Sequence, residues 1–274
     1  MSTKAALAAA IRINPKAVHP PLLDRLRPWA VVALGVAAFI AAAHDLGLTP
    51  DVLGAGVAKL GGIVQAMVPP SDGQAAGRIW FAVAQTLGMA VLGTSFASIV
   101  ALPLGLVAAR NIVANPILHF VIRRCMDLFR GIPALIWALI LVAAIGLGPL
   151  AGILALAFAD IPRLGKLYAE AMENIDERQR EAIRATGAPV AIVLRFGTLP
   201  QALPIWLSQC LYSLELNFRS AVVVGIVGGG GIGFELRERI RIYAFDEVAY
   251  IIILYVFTVS MLDLLSGRLR SMLT

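Results

Sequence analysis

This 274-residue chain is short of charge: 15% of its residues are Asp, Glu, Lys or Arg, where a soluble domain carries about 25%. With 59% hydrophobic residues and a mean hydropathy of +0.83, it does not read as an ordinary water-soluble domain. Cysteine is nearly absent. Cys125 and Cys210 lie in or beside apolar segments and read as packing residues, without a disulfide framework. Histidine is equally sparse. His19, His44 and His119 stand apart without ligand spacing, which speaks against a metal site. No HExxH and no GxxxxGK[ST] occurs, so neither a zinc protease nor an ATP site is expected in this chain. No Ser/His or paired-carboxylate set stands out in the apolar segments, which sets an intramembrane enzyme aside and leaves no catalytic residue to name.

What the chain does contain is runs of about 20 apolar residues, the length that crosses a bilayer as a helix. The ten-residue alternation of outer-membrane barrels is missing. The expected fold is therefore all-α: a polytopic membrane bundle of about six transmembrane helices, near 28–48, 79–109, 119–146, 149–169, 201–227 and 247–266. Residues 1–27 form a basic leader, with Lys4, Arg12, Lys16, Arg25 and Arg27 against Asp24. Ala41-Ala42-Ala43 mimics a signal-peptide cleavage site, but the polar leader is long, and the reading is an uncleaved first span. Residues 28–78 hold that span and an outer connection, with an interfacial helix at 52–68 broken by Gly54, Gly56, Gly61 and Gly62. Residues 79–274 form the core.

Orientation follows from the basic residues. With the N-terminus inside, the outer segments hold only Lys59, Arg78, Arg237, Arg239 and Arg241. The leader, the Arg110 to Arg130 group, the Arg163 to Arg195 group and the Arg268–Arg270 end fall inside. Both termini are therefore expected in the cytoplasm, together with the polar segment 174–200. The net charge of +6 is then mostly topology, and the scattered positives form no stripe for nucleic acid.

The stretch EAIRATGAPVAIVLRFGTLPQALP, Glu181 to Pro204, is the longest polar gap between spans. Asp176-Glu177 suits a helix start, and Gly187 suits the left-handed position after a last turn. Pro189 suits the first turn of a second helix, and Leu199-Pro200 is expected to end that helix and redirect the chain. Small Ala182, Ala185 and Gly187 would let the element lie close to a partner, or close to its own bundle. Glu181-Ala182, Gly187 six positions on, and Leu199-Pro200 resemble the EAA coupling motif of ABC-importer permeases. Ile183 and Gly197 depart from the motif, standing where a second alanine and an aliphatic residue are common. The resemblance implies that Glu181, Ala182, Gly187, Leu199 and Pro200 dock on a separate ATPase, which would hold the ATP and Mg²⁺.

The span 201–227 is unusually polar, with Ser208, Gln209, Ser213, Glu215, Asn217, Arg219 and Ser220. At about 100° per residue these fall on two neighbouring lines, opposite Leu207, Leu211, Leu214 and Phe218. Two readings stay open. Glu215 and Arg219, spaced i,i+4, form a structural ion pair. Alternatively, Arg219 with Asn217, Ser220 and Glu215 lines a path for an anion, since a guanidinium donates two parallel hydrogen bonds to phosphate-like groups. The GIVGGGGIG run, Gly225 to Gly233, reads as a hinge or close-packing site at the outer end, not as a nucleotide fingerprint.

The run ELNFRSAVVVGIVGGGGIG from Glu215 and the segment RGIPALIW from Arg130 look like the phosphonate-permease branch of the same family, type I importers. That resemblance, over about 75–270, implies a homodimer in a bacterial cytoplasmic membrane, with two ATPase subunits and an extracytoplasmic binding protein. It also implies uptake of phosphonate, phosphite or phosphate. Arg130, Pro133, Gly229 and Gly230 are gating candidates, with Gly131 and Pro133 expected to bend their helix. Arg123, Asp127 and Arg130 have the spacing of local ion pairs, and Asp160 with Pro162 suggests a break near the inner face. The RERIR run, Arg237 to Arg241, reads as a solvated outer helix, with contact to the binding protein as the alternative reading. The rival from another class is an ion-coupled secondary transporter or channel that uses Glu215 or Asp160 as a proton-linked carboxylate.

Overall fold

A computed structural model describes residues 22–272 except Ala114, and all regular structure among them is helical. Residues 1–21 of the leader lie outside the described residues. Two compact units form, one ending at Gln65 and one starting at Ala66. In the first, α1 (Leu22–Asp45) ends in a turn at Gly47, whose φ of +68° favours glycine, and Leu48 N–H donates to the Ala43 carbonyl at 2.9 Å. Residues Pro28–Asp45 are long and apolar enough to cross a membrane, and none of them is buried by protein. A helix apolar on all sides needs lipid to cover it. The second helix, α2 (Pro50–Ala66), is 17 residues long, short of the ~20 needed to span. It matches the helix expected at 52–68.

The second unit is built on α3 (Ala76–Ala108) and α6 (Pro149–Glu173), which lie along one another. Small residues set their spacing. A Cβ at Gly93 would stand 3.1 Å from the Leu156 Cβ, and one at Gly105 would stand 2.9 Å from the Tyr168 Cβ. Ala97, Ala101 and Ala108 face Ala157 and Ala169 in one fully buried cluster. Lipid tails are as apolar as leucine, so close backbone approach, not exclusion from water, drives such packing.

Between them, α4 (Pro116–Arg130) and α5 (Ala134–Ile145) meet at 82°. The expected bend at Gly131–Pro133 is present. Gly131 and Ile132 close α4 by donating to the Leu128 and Phe129 carbonyls at 3.2 and 3.1 Å, and Pro133 is extended at φ −62°, ψ 151°. The expected local pairs on α4 are not. Arg123 reaches Glu173 at 2.7 Å, and Asp127 reaches Lys166 at 2.7 Å, with Arg124 more loosely at 3.4 Å; Arg130 is exposed. Partners on α6 win because α4 lies across that helix. Pro162 does not break α6, which runs through it.

The polar insert folds as α7 (Glu177–Ala185), a turn, and α8 (Val190–Val193). A π-helical turn at Leu194–Thr198 carries α8 directly into α9 (Leu199–Val224). The expectation that Leu199-Pro200 stops a helix is therefore wrong. Pro200 sits in the first turn of α9, where a missing N–H costs little, and Val190–Gly229 runs as one apolar 40-residue helix.

A second π turn, Gly225–Gly229, leads into α10 (Gly231–Arg241) and then α11 (Phe245–Ser271). The glycine run is a tight crossing in the bundle rather than a loose hinge. Gly228 and Gly230 have φ of +111° and +85°, and a Cβ at Gly152 on α6 would meet the Gly229 carbonyl at 2.8 Å. A Cβ at Gly233 would run into the Val222 carbonyl. Gly233→Ala is therefore expected to cost about 3 kcal/mol, read as a lowered melting temperature of the purified protein in detergent. An unchanged melting temperature would contradict this packing.

Among the described residues, four helical runs are long and apolar enough to cross a membrane, or five with α4–α5 as one broken span. The sixth expected span corresponds to α6, 25 residues long, whose apolar run is interrupted by Asp160, Arg163 and Lys166. The count of about six is compatible with this arrangement.

Candidate coupling element and translocation path

Asp176 caps α7, its carboxylate accepting from the Arg178 N–H at 3.0 Å. Gly187 closes the helix in the left-handed region at φ +76°, as its position in the sequence requires. The inward side chains are Arg180 and, half-buried, Ile183 on α7, with Val193 on α8. Arg180 is buried (4% exposed), whereas Glu181, Ala182, Arg184, Ala185 and Gly187 are all exposed. Val190, Ile192 and Phe196 are also exposed, at 71%, 43% and 60%, an apolar surface on a polar insert. Leu199 is half-buried beside the core cluster, and Pro200 is exposed. The insert thus presents the glutamate side of the motif outward and holds itself by Arg180.

At the C-terminal end of α6, Glu173 accepts from the Arg110 backbone N–H at 2.8 Å and from Arg123 at 2.7 Å. Burial pushes this carboxyl up, but those two donors outweigh it and hold it below the ordinary glutamate range. The Asn111 side chain donates to the Met172 carbonyl at 2.5 Å. The turn after α3 is thereby pinned to the end of α6.

In α9 the polar residues separate differently from the two lines read off the sequence. Glu215 and Arg219 do not pair with each other. Glu215 accepts from Arg270 at 2.6 Å, and Arg219 makes a two-oxygen contact with Asp263 at 2.9 and 2.7 Å. Both partners come from α11, which packs against α9 and so brings an opposite charge within hydrogen-bond reach of each residue. Asn217 is buried, donating to Thr94 at 2.9 Å and to Asp160 at 2.6 Å. Asp160 also binds Arg163 at 2.6 Å, and Arg163 reaches Ser213 at 3.1 Å. Phe218, expected on the lipid side or against a helix, is stacked on Tyr255 in the interior. Only Arg219 of the polar set stands in the open, with its side chain 47% exposed and Asp263 40% exposed; Ser220 is half-buried.

On α10, Arg239 contradicts the solvated reading of the RERIR run. It is buried and bridges Glu235 and Glu247. Arg237 and Arg241 remain at the surface.

The family described as binding-protein-dependent transport system inner membrane component matches residues 101–274. This chain belongs to that family of permeases. Among curated relatives, the putative phosphite transport system permease protein HtxC of Stutzerimonas stutzeri is 38% identical over 80% of this chain and 77% of its own length. The phosphite transport system permease protein PtxC of the same species is 40% identical over 78% and 76%. The phosphate-import permease protein PhnE of Mycolicibacterium smegmatis is 37% identical over 97% of this chain, which spans 51% of that longer relative. Among solved structures, an inward-facing MetNI methionine ABC transporter matches with a TM-score of 0.64 and 25% identity, covering 72% of this chain and 96% of the other.

The permease is thus a multi-pass inner-membrane component of an ABC importer, served by an ATPase and a substrate-binding protein. The secondary-transporter alternative is not favoured. Sequence reasoning missed Arg180, Arg163, Asp263 and Arg270. Asp263 and Arg270 had a signal, as charges in or beside an otherwise apolar final helix require partners; Arg180 had none, lying in a run of charged residues.

Proposed function

We propose that this permease forms the translocation path for phosphonate or a related phosphorus oxyanion, phosphite or phosphate. It works as a homodimer with both termini in the cytoplasm. Two ATP-binding subunits, which hold the ATP and Mg²⁺, dock on Glu181, Ala182, Gly187 and the exposed apolar surface beyond them. This chain has no nucleotide site of its own and catalyses no covalent step. Differential affinity of the ATPase for the two states of the dimer drives the alternation.

The observation that carries this reading is the insert itself, seated on the bundle by Arg180 and Val193 while Glu181, Ala182, Gly187, Val190, Ile192 and Phe196 are left exposed. The substrate class is supported by the relatives named for phosphite and phosphate. The dimer is supported by Arg219 and Asp263. A half-exposed ion pair within two apolar helices cannot face lipid tails without cost, at roughly 3 kcal/mol per charge near mid-membrane. A second copy or an aqueous path covers it. Arg219 then lies where an oxyanion passes, with Asp263 as the partner it leaves.

The test is ATP turnover by the reconstituted complex against phosphonates, phosphite, phosphate and methionine. Stimulation by the phosphorus oxyanions with binding protein present is expected; stimulation by methionine alone would refute the substrate class. Arg219→Ala is expected to lower that stimulation about tenfold, and an unchanged response would make the Arg219–Asp263 pair purely structural.

A further inference from the structure

The insert has to pass a displacement to the membrane helices, and the docking surface does not show by what route. The side chain facing away from that surface does. Arg180 is buried under α7 and donates to two acceptors: the Glu177 carboxylate at 2.6 Å within its own helix, and the Asn111 carbonyl at 3.0 Å in the turn after α3. That turn is itself pinned to the end of α6 through Asn111 to Met172 and Arg110 to Glu173, and Glu173 reaches α4 through Arg123. One guanidinium therefore joins α7 to a knot that ties the turn after α3, the middle of α4 and the end of α6.

The seat beneath it is Gly197. Its backbone is helical, so no left-handed angle calls for glycine there. Space does: an added Cβ would lie 3.2 Å from the Ile183 Cδ1 and 3.3 Å from the Arg180 Cα and Cγ. Ile183 and Gly197, the two places where this chain departs from the coupling motif, touch one another. The larger residue on α7 fills the space that the glycine of the π turn leaves. Gln201 adds a third tie, accepting from the Asp176 N–H at 2.9 Å and donating to the Gly197 carbonyl at 2.6 Å.

We propose that Arg180 is the positioning strut that makes α7 and the α3–α4 turn move as one body, with Gly197 and Ile183 as the paired seat that holds it. The proposal rests on the coupling role assigned to this insert. The guanidinium suits the task because it serves two acceptors at a fixed angle, which a lysine ammonium does not. A bonded, packed strut of this kind keeps the two elements at a fixed separation, and so passes a displacement of one to the other.

The experiment uses the full complex with its ATPase subunits and binding protein, in a background with Cys125 and Cys210 replaced. Spin labels at Arg184 on α7 and Leu118 on α4, both exposed, report whether the two move together when nucleotide is trapped. In the parent complex the label separation stays constant. Arg180→Ala is expected to let it change and to lower binding-protein-stimulated ATP turnover about fivefold or more, with ATPase subunits still co-purifying. Arg180→Lys is expected to fall between. Gly197→Val is expected to reproduce the loss, and adding Ile183→Ala to restore part of it. A constant separation and full stimulation in Arg180→Ala would overturn the strut. If that variant does not assemble, the Gly197→Val and Ile183→Ala pair decides: independent, additive losses would overturn the seat and the strut together. The distance readout needs no transported substrate. A wrong substrate class therefore leaves it intact, whereas a wrong strut does not.

Discussion

Glu181→Lys is expected to abolish ATP-driven transport while leaving the amount of permease in the membrane unchanged. The two halves of that result have separate physical causes. Glu181 is exposed, and the ties that hold α7 come from Asp176, Arg180, Ile183 and Gln201. A surface substitution away from such ties changes stability by about 0.5 kcal/mol or less. Docking is different, because a reversed charge placed against a complementary surface costs several kcal/mol, and each 1.4 kcal/mol is about tenfold in affinity. ATP turnover stimulated by the binding protein is then expected to fall by about 100-fold in the reconstituted complex, with the isolated permease melting as before. Normal transport by Glu181→Lys would remove the insert from the coupling path. Reduced membrane levels would instead mean that the residue supports the fold.

How much could be read from the sequence depended on the range of the interaction concerned. The bend at Gly131–Pro133 and the left-handed Gly187 rest on backbone constraints carried by one or two residues, and both are where the sequence puts them. The partners of charged residues were not readable in the same way. Glu215 and Arg219 have i,i+4 spacing, yet the fold supplies Arg270 and Asp263 from a helix more than forty residues away in sequence. The same holds for Arg123 and Asp127 against α6. Leu199-Pro200 misled for the opposite reason. Proline at a helix start and proline after a helix end look alike in sequence, and only the π turn at Leu194–Thr198 shows that the chain continues. Arg180 and Arg239 were beyond reach, because burial of one arginine among several charged neighbours depends on what packs over it.

Asp160 is where the ATP-driven and ion-coupled readings part, once the stability of its variants is set beside their transport. Its carboxylate is buried in α6, holds Arg163 at 2.6 Å and accepts from Asn217, which also donates to Thr94 on α3. Through Asn217, three helices, α3, α6 and α9, are tied together around this carboxylate. Asp160→Ala removes the negative charge and leaves Arg163 without its counterion inside the bundle, a change worth about 3–5 kcal/mol when one partner of a buried pair is lost. The protein is expected to accumulate poorly and to melt well below the parent in detergent. Replacing both Asp160 and Arg163 by leucine removes the stranded charge, so the double variant is expected to be more stable than Asp160→Ala alone, a coupling that a double-mutant cycle measures directly. Asp160→Asn should lie closer to the parent, since it keeps a hydrogen-bonding oxygen for Asn217. A proton-carrying carboxylate would behave otherwise: Asp160→Asn would be stable and dead for transport, and uptake by the parent would collapse with an uncoupler while ignoring ATP. Additive stabilities in the cycle would show that Asp160 and Arg163 do not act as a pair.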